Sequence, residues 1–160
     1  MEITTPTASE LDTLVDLWLA LAESQREHGS HLRVPENEPR IRESLSQRLV
    51  TDGVRLARID GEPVGFTTFY PEQASFEQDC SRGVIENLFV VESRRGEGVG
   101  TALLEAAIDA FRAGDIDRIA LDVLAANDEA RRFYRDHGFE PQRIQLERRL
   151  QRETDTRVDH

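Results

Sequence analysis

Apolar residues recur at helical spacing near the start of the chain. Leu11, Leu14, Val15, Trp18, Leu21 and Ala22 fall on one face of a helix, and Trp18 reads as part of a core. Ser9 can cap that helix with Asp12 as its capping-box partner, and residues 2–5 ahead of it read as a first strand. Residues 23–38 are polar and break the pattern. Pro39 can open a second helix after Asn37 or Glu38, with Ile41, Leu45 and Leu49 on one stripe. The period then becomes strand-like. Residues 54–59 and 64–70 read as strands joined by Asp60-Gly61, a strong hairpin signal. A polar loop at 71–82 precedes residues 83–90, apolar and β-branched enough for a central strand, with one charge inside it, Glu86.

Glycines punctuate the second half of the chain. The loop Arg95-Gly96-Glu97-Gly98-Val99-Gly100 leads into a helix predicted over 98–113, which carries Val99, Ala102, Leu103, Ala106, Ala107, Ala110 and Phe111 and stops at Gly114. Residues 119–124 read as a strand. Asn127 can cap a short helix with Asp128 and Glu129 in its first turn, where negative charge suits the dipole. Ala130, Phe133, Tyr134 and His137 share one face of it, and Gly138 ends it. Ile144, Leu146, Arg148 and Leu150 alternate, so 142–150 reads as a last strand, with room for a short one near Phe139. The order β-α-α-β-β-β-α-β-α-β describes a mixed α/β (α+β) layer, with helices covering a sheet that is antiparallel at first.

Length and composition narrow the function. With 160 residues the chain is expected to form one domain over 1–150, followed by a polar, frayed tail over 151–160. No apolar run is long enough for a bilayer, and the first residues carry neither the basic nor the apolar part of a signal peptide, so a cytoplasmic protein without membrane contact is expected. The single cysteine, Cys80, excludes an internal disulfide and a Cys-x-x-Cys metal site. Acidic residues number 31 against 20 basic ones, a net charge of −11, and every basic residue is arginine. The absence of lysine excludes a Walker-type phosphate loop, a Schiff base with pyridoxal and any lysine nucleophile. The acidic balance argues against non-specific nucleic-acid binding. It fits adaptation to high salt or attraction of a cationic amine substrate.

The strand–glycine loop–helix stretch exposes backbone N–H groups at a helix N-terminus, a site for phosphate or pyrophosphate. Arg94 and Arg95 add fixed positive charge beside it. The spacing Gly-x-Gly-x-Gly fails the dinucleotide pattern Gly-x-Gly-x-x-Gly. By itself the stretch supports an anion ligand, or no more than a tight turn.

The loop also matches the Arg/Gln-x-x-Gly-x-Gly/Ala signature of the GNAT superfamily of acetyl-CoA-dependent N-acetyltransferases. The strand Ile85-Glu86-Asn87-Leu88-Phe89-Val90 resembles that family's fourth strand. The run Asn127-Asp128-Glu129-Ala130-Arg131-Arg132-Phe133-Tyr134-Arg135-Asp136-His137-Gly138-Phe139 is similar to its Asn-x-x-Ala-x-x-Phe-Tyr-x-x-x-Gly-Phe segment. The order of elements agrees over roughly residues 2–150. The resemblance implies a single-domain GNAT-type fold, with a mixed, mostly antiparallel sheet of six to seven strands flanked by about four helices.

It also implies a chemistry, transfer of an acetyl group from acetyl-CoA, the co-substrate, to a primary amine by direct attack. Main-chain amides of Arg95, Gly96, Gly98, Val99, Gly100 and Thr101 would hold the pyrophosphate. Leu88, Phe89 and Val90 would splay from the neighbouring strand and offer amides to the pantetheine arm and the acetyl carbonyl, stabilising the oxyanion. Asn127 would meet the cofactor arm as well as capping its helix. Tyr134 is the candidate acid for the leaving thiolate, or else a core aromatic with a wet hydroxyl. Glu86 is the candidate base, acting through a water, or else the partner of an arginine such as Arg82 or Arg118. No metal is expected. Direct transfer leaves Cys80 without a role as nucleophile. His28 and His31 lie with Glu27 in a polar loop where histidines are usually solvated, and the resemblance sets them and Arg33 beside the acceptor site. The acceptor is a small-molecule or peptide amine, and a homodimer paired through edge strands is one arrangement. Two other readings compete, an acyl-CoA sensor without turnover and a nucleotide-binding α/β protein.

Overall fold

A computed structural model describes residues 1–73 and 77–151. The chain forms two compact units, Met1–Asn127 and Asp128–His160. The first holds strands β1 (Glu2–Thr4), β2 (Val54–Ile59), β3 (Glu62–Pro71), β4 (Arg82–Val90) and β5 (Arg118–Leu121), with helices α1 (Leu11–Arg26), α2 (Glu38–Val50) and α3 (Val99–Ala113). The second holds α4 (Asp128–Asp136).

The sheet runs β1-β2-β3-β4-β5 in space, with the first three pairings antiparallel and β4–β5 parallel. The β2–β3 hairpin turns at Asp60 and Gly61, both with positive φ (52° and 80°), as a primed turn requires. Strand alternation splits the core in two. Leu56 and Phe66 pack with Leu14, Trp18 and Leu45 of α1 and α2, whereas Ala57 packs with Val99 and Leu103 of α3. Helices therefore cover both faces of the sheet. Among the described residues no helix is long and apolar enough to cross a membrane.

Three expectations are corrected. The cap before α1 is not Ser9 with Asp12. A 3-10 turn at Ala8–Glu10 precedes the helix, Thr7 N–H donates to Glu10 Oε1 (3.4 Å), and the Ser9 hydroxyl is 2.7 Å from that of Thr7. Among the described residues the sheet has five strands, not six or seven, in a mixed and mostly antiparallel arrangement, and the helices number four. The missing ones are 142–150 and the short strand near Phe139, which take no regular structure. Alternation shows only that a segment could be a strand; the ladder still needs a partner, and Ile144, Leu146 and Leu150 are largely exposed. The expected strand over 119–124 is also shorter, ending at Leu121. The frayed tail expected at 151–160 falls, after Gln151, outside the described residues.

Candidate active site

The site begins with an irregularity in β4. Thr68 pairs with Asn87, but the next residue of β3, Phe69, pairs with Ile85, so Glu86 is an extra residue in the ladder. A bulge of this kind re-aims side chains that strict alternation would send to opposite faces. Here it brings both Glu86 and Asn87 against one hydroxyl. Thr68 Oγ1 donates to Glu86 Oε1 (3.1 Å), while Asn87 Nδ2 donates to Thr68 Oγ1 (2.8 Å). Thr67 Oγ1 donates to the Asn87 carbonyl (2.8 Å), and both threonines are fully buried.

A second donor reaches Glu86 from α2. Arg48 Nε lies 3.2 Å from Glu86 Oε1, and its guanidinium sits 4.2 Å from the centre of the Tyr70 ring. The arginine partner expected from the sequence therefore exists, but it is neither Arg82 nor Arg118. Arg82 is held by Glu72 through two bonds, Nε–Oε1 (3.1 Å) and Nη2–Oε2 (2.8 Å). Both contacts to Glu86 fall on Oε1. Its side chain keeps a third of its surface exposed. With Asn87 it lines a cleft of about 190 Å³ whose other walls are Trp18, Ile41, Ser44 and Leu45.

The rest of β4 diverges from β5. The parallel ladder runs from Arg82↔Arg118 to Ile85↔Leu121 and stops there, while β4 continues to Val90 along β3. Val91 N–H donates to Val64 O on the β3 side (2.9 Å). Main-chain direction alternates along a strand, so Leu88 and Val90 present their amides to the edge that β5 has left, and Phe89 does not. The Phe89 ring is instead buried against Phe66.

Beyond Val90 the chain enters the glycine loop. Gly96 and Gly98 hold positive φ (80° and 87°), and a Cβ on either would meet nothing within 4 Å. Glycine is thus required by backbone conformation, and the surface above the loop is open. Gly98 is the N-cap of α3, and Val99 and Gly100 lie in its first turn, where N–H groups have no intrahelical acceptor. Arg95 anchors the loop to β4, its Nε donating to Val90 O (3.0 Å) with the guanidinium 5.9 Å from the Phe89 ring. Arg94 pairs with Glu97 (3.5 Å). Open glycines, a helix N-terminus and a strand edge with outward amides fit a long, anionic, amide-bearing ligand such as acetyl-CoA.

In the second unit Tyr134 is half-buried between rings on its own helix turn and beyond it, 5.3 Å from Phe133 and 5.6 Å from Phe139. Burial pushes its phenol up to about 12, so it keeps its proton at neutral pH. Asn127 lies immediately before α4, its N–H donating to Leu124 O (2.9 Å).

Sequence reasoning missed Thr68 and Arg48. Two adjacent hydroxyls in an otherwise apolar strand, Thr67-Thr68, were a signal for the first. Arg48 sits among polar residues of α2 and carries no local signal.

The sequence model described as "Acetyltransferase (GNAT) family" matches residues 14–139, well over half of the chain. An uncharacterized N-acetyltransferase from Archaeoglobus fulgidus is 40% identical over 83 residues, covering 52% of this chain and 56% of that protein. The matches cover between 21% and 58% of the length of the curated relatives. Among solved structures, a mutant of the BH1408 protein from Bacillus halodurans superposes with a TM-score of 0.80 at 25% identity, over 94% of this chain and all of the other. A GCN5-related N-acetyltransferase from Ralstonia eutropha JMP134 shares the fold with a TM-score of 0.73 at 22% identity, over 93% and 97% of the two chains.

Proposed function

The chain belongs to the acetyltransferase (GNAT) family, and on that premise we propose that it transfers an acetyl group from acetyl-CoA to a primary amine by direct attack. The family match runs through both units, which supports reading residues 1–150 as one acetyltransferase domain. Acetyl-CoA supplies the activated acyl group when bound.

The chain's own residues divide the work. Arg95, Gly96, Gly98, Val99, Gly100 and Thr101 hold the pyrophosphate with main-chain amides and the N-terminal end of α3. Leu88 and Val90 offer amides to the pantetheine arm and to the thioester oxygen as it gains charge. Phe89 contributes packing, and Asn127 meets the cofactor arm.

The amine arrives as an ammonium, with a pKa of about 10, and has no lone pair until it loses a proton. Glu86 takes that proton, directly or through a water. As the nitrogen–carbon bond forms and the carbon–sulfur bond breaks, the nitrogen releases its second proton to solvent, while Tyr134 gives its own proton to the departing thiolate and is restored from solvent. A phenol held near 12 remains a donor throughout the neutral range.

The observation that carries this reading is the half-anchored carboxylate of Glu86, fixed through Oε1 at the bulge and lining a cleft. A sensor that only bound acyl-CoA would not need it. The test pairs calorimetry with acetyl-CoA and thiol release with a panel of amines. Binding together with amine-dependent release supports the transferase; binding with no release for any amine leaves only the sensor.

A further inference from the structure

The acceptor side of the cleft has a chemistry of its own. Its walls are three apolar side chains, Trp18 from α1 and Ile41 and Leu45 from α2. Its polar side chains are those of Ser44, Glu86 and Asn87, with the indole N–H of Trp18 as a further donor. The distribution of hydrogen bonds among these is uneven. Glu86 receives both Arg48 and Thr68 on Oε1. Asn87 uses its donor nitrogen on Thr68 and its main-chain carbonyl on Thr67. The acceptors not engaged in these bonds are Glu86 Oε2 and Asn87 Oδ1, on two residues that line the cleft, and Ser44 adds a rotatable hydroxyl. Among the described residues no arginine lines the cleft. Arg48, which bonds Glu86, is turned to that carboxylate and to the Tyr70 face.

Acceptor atoms at one place and apolar walls around them select the ligand. An ammonium finds a carboxylate oxygen, an amide oxygen and the indole of Trp18. A carboxylate next to that ammonium finds no cation in the cleft lining and is repelled by Glu86. A second ammonium held inside the cleft would lie against Ile41 and Leu45, losing water without a partner. Size sets a further limit. A cleft of about 190 Å³ is a little larger than the roughly 150 Å³ cavity that holds benzene.

We infer that the acceptor is a primary monoamine on a compact apolar stem of about one ring, without a carboxylate beside the amine. The inference rests on the acetyltransferase reading for turnover, but not for binding. Polyamines, amino acids and aminoglycoside-like amines are the acceptors it rejects.

Trp18 provides a readout that does not require catalysis, since it is the sole tryptophan and lines the cleft. The full chain is titrated at pH 7, with and without CoA, using 2-phenylethylamine, phenylalanine, isoamylamine, leucine and spermidine. Trp18 emission and calorimetry are followed together, and thiol release from acetyl-CoA is measured in parallel without added CoA. The expected result is saturable binding of 2-phenylethylamine and isoamylamine, each at least about tenfold tighter than its carboxylated counterpart. Glu86→Gln is expected to remove that preference, and Ile41→Ala to weaken the two monoamines while leaving acetyl-CoA binding unchanged. Equal or tighter binding of phenylalanine, leucine or spermidine, or no monoamine binding in either measurement, overturns the inference. Monoamine binding without thiol release leaves the cleft's binding preference standing and overturns the monoamine as acetyl acceptor. Thiol release with spermidine or an amino acid in preference to the monoamines overturns the inference and leaves the transferase standing.

Discussion

Thr68 holds Glu86 by one hydrogen bond, Oγ1 to Oε1 at 3.1 Å, and the same hydroxyl accepts from Asn87 Nδ2 at 2.8 Å. The hydroxyl is fully buried, so no water can replace it cheaply. Thr68→Val keeps the branched shape and removes the donor and acceptor together. Asn87 then loses an acceptor and Glu86 one of its two anchors. The expected cost is about 1–3 kcal/mol of stability, read as a fall in Tm of roughly 2–4 °C per kcal/mol for a chain of this size. At the same time kcat should drop while the KM for acetyl-CoA stays in place. A variant that melts and turns over like the parent would remove Thr68 from the site.

Glu86→Gln tests proton removal directly. Glutamine keeps an oxygen for Thr68 and Arg48 but cannot accept the ammonium proton. The rate should fall by about 10²–10⁴-fold near neutral pH. The deficit should shrink as the pH rises towards the amine's pKa of about 10, where free amine no longer needs a base. Parallel pH profiles for the two proteins would sink the assignment.

These two residues also show where sequence reasoning reached and where it stopped. The apolar stripe of α1, the Asp60-Gly61 hairpin and the glycine loop were legible, because each is set by local period or by a backbone that only a few residues adopt. Glu86 was visible as a charge in an apolar strand, and the idea that an arginine holds it was sound. Its partner, Arg48, was not visible, because the contact joins residues 38 positions apart through tertiary packing. The bulge at Glu86 was hidden for the same reason, being a property of register between two strands and of neither alone. At 142–150 the error ran the other way, since the pattern was present and the pairing was not.

The left-handed conformation of Gly98 gives a third prediction. Its φ of 87° lies where a side chain is strained, although a Cβ there would touch nothing within 4 Å. Gly98→Ala should therefore cost about 1–2 kcal/mol through the backbone alone. Relief of that strain would turn the first amides of α3 away from the loop surface. Calorimetry should show weaker CoA binding, with dephospho-CoA and CoA affected alike, if the amides face the pyrophosphate as proposed. Unchanged affinity would separate α3 from the cofactor site.

Tyr134 makes a prediction about alkaline pH. Its phenol is raised by burial to about 12, above its ordinary value of 10. The folded state thus holds the proton more tightly than the unfolded one. The associated stability is complete below pH 10 and is lost as the pH rises through about 12. Tyr134→Phe should abolish that part of the alkaline fall in Tm and lower kcat across the neutral range. If the phenol titrates near pH 10 by absorbance in the native protein, it is not buried as described.

The charge balance leads to the last prediction. Acidic residues exceed arginines by 31 to 20, so the folded chain carries a net charge of −11 and repels itself. Several cations are already committed to close, partly buried contacts, such as Arg48–Glu86 at 3.2 Å and Arg82–Glu72 at 2.8 Å. Salt acts unequally on these two kinds of interaction. The screening length falls from about 10 Å at 0.1 M to about 3 Å at 1 M, which removes repulsion between distant carboxylates but weakens partly buried pairs much less. Tm should therefore rise between 0.1 and 1 M NaCl, about the two concentrations that bracket that change. A Tm that is flat or falling would show that the acidic surface is not a stability device. In that case the same salt series read as KM for a cationic amine would test the alternative, because a surface that draws in substrate loses its attraction, and KM climbs, as the field is screened.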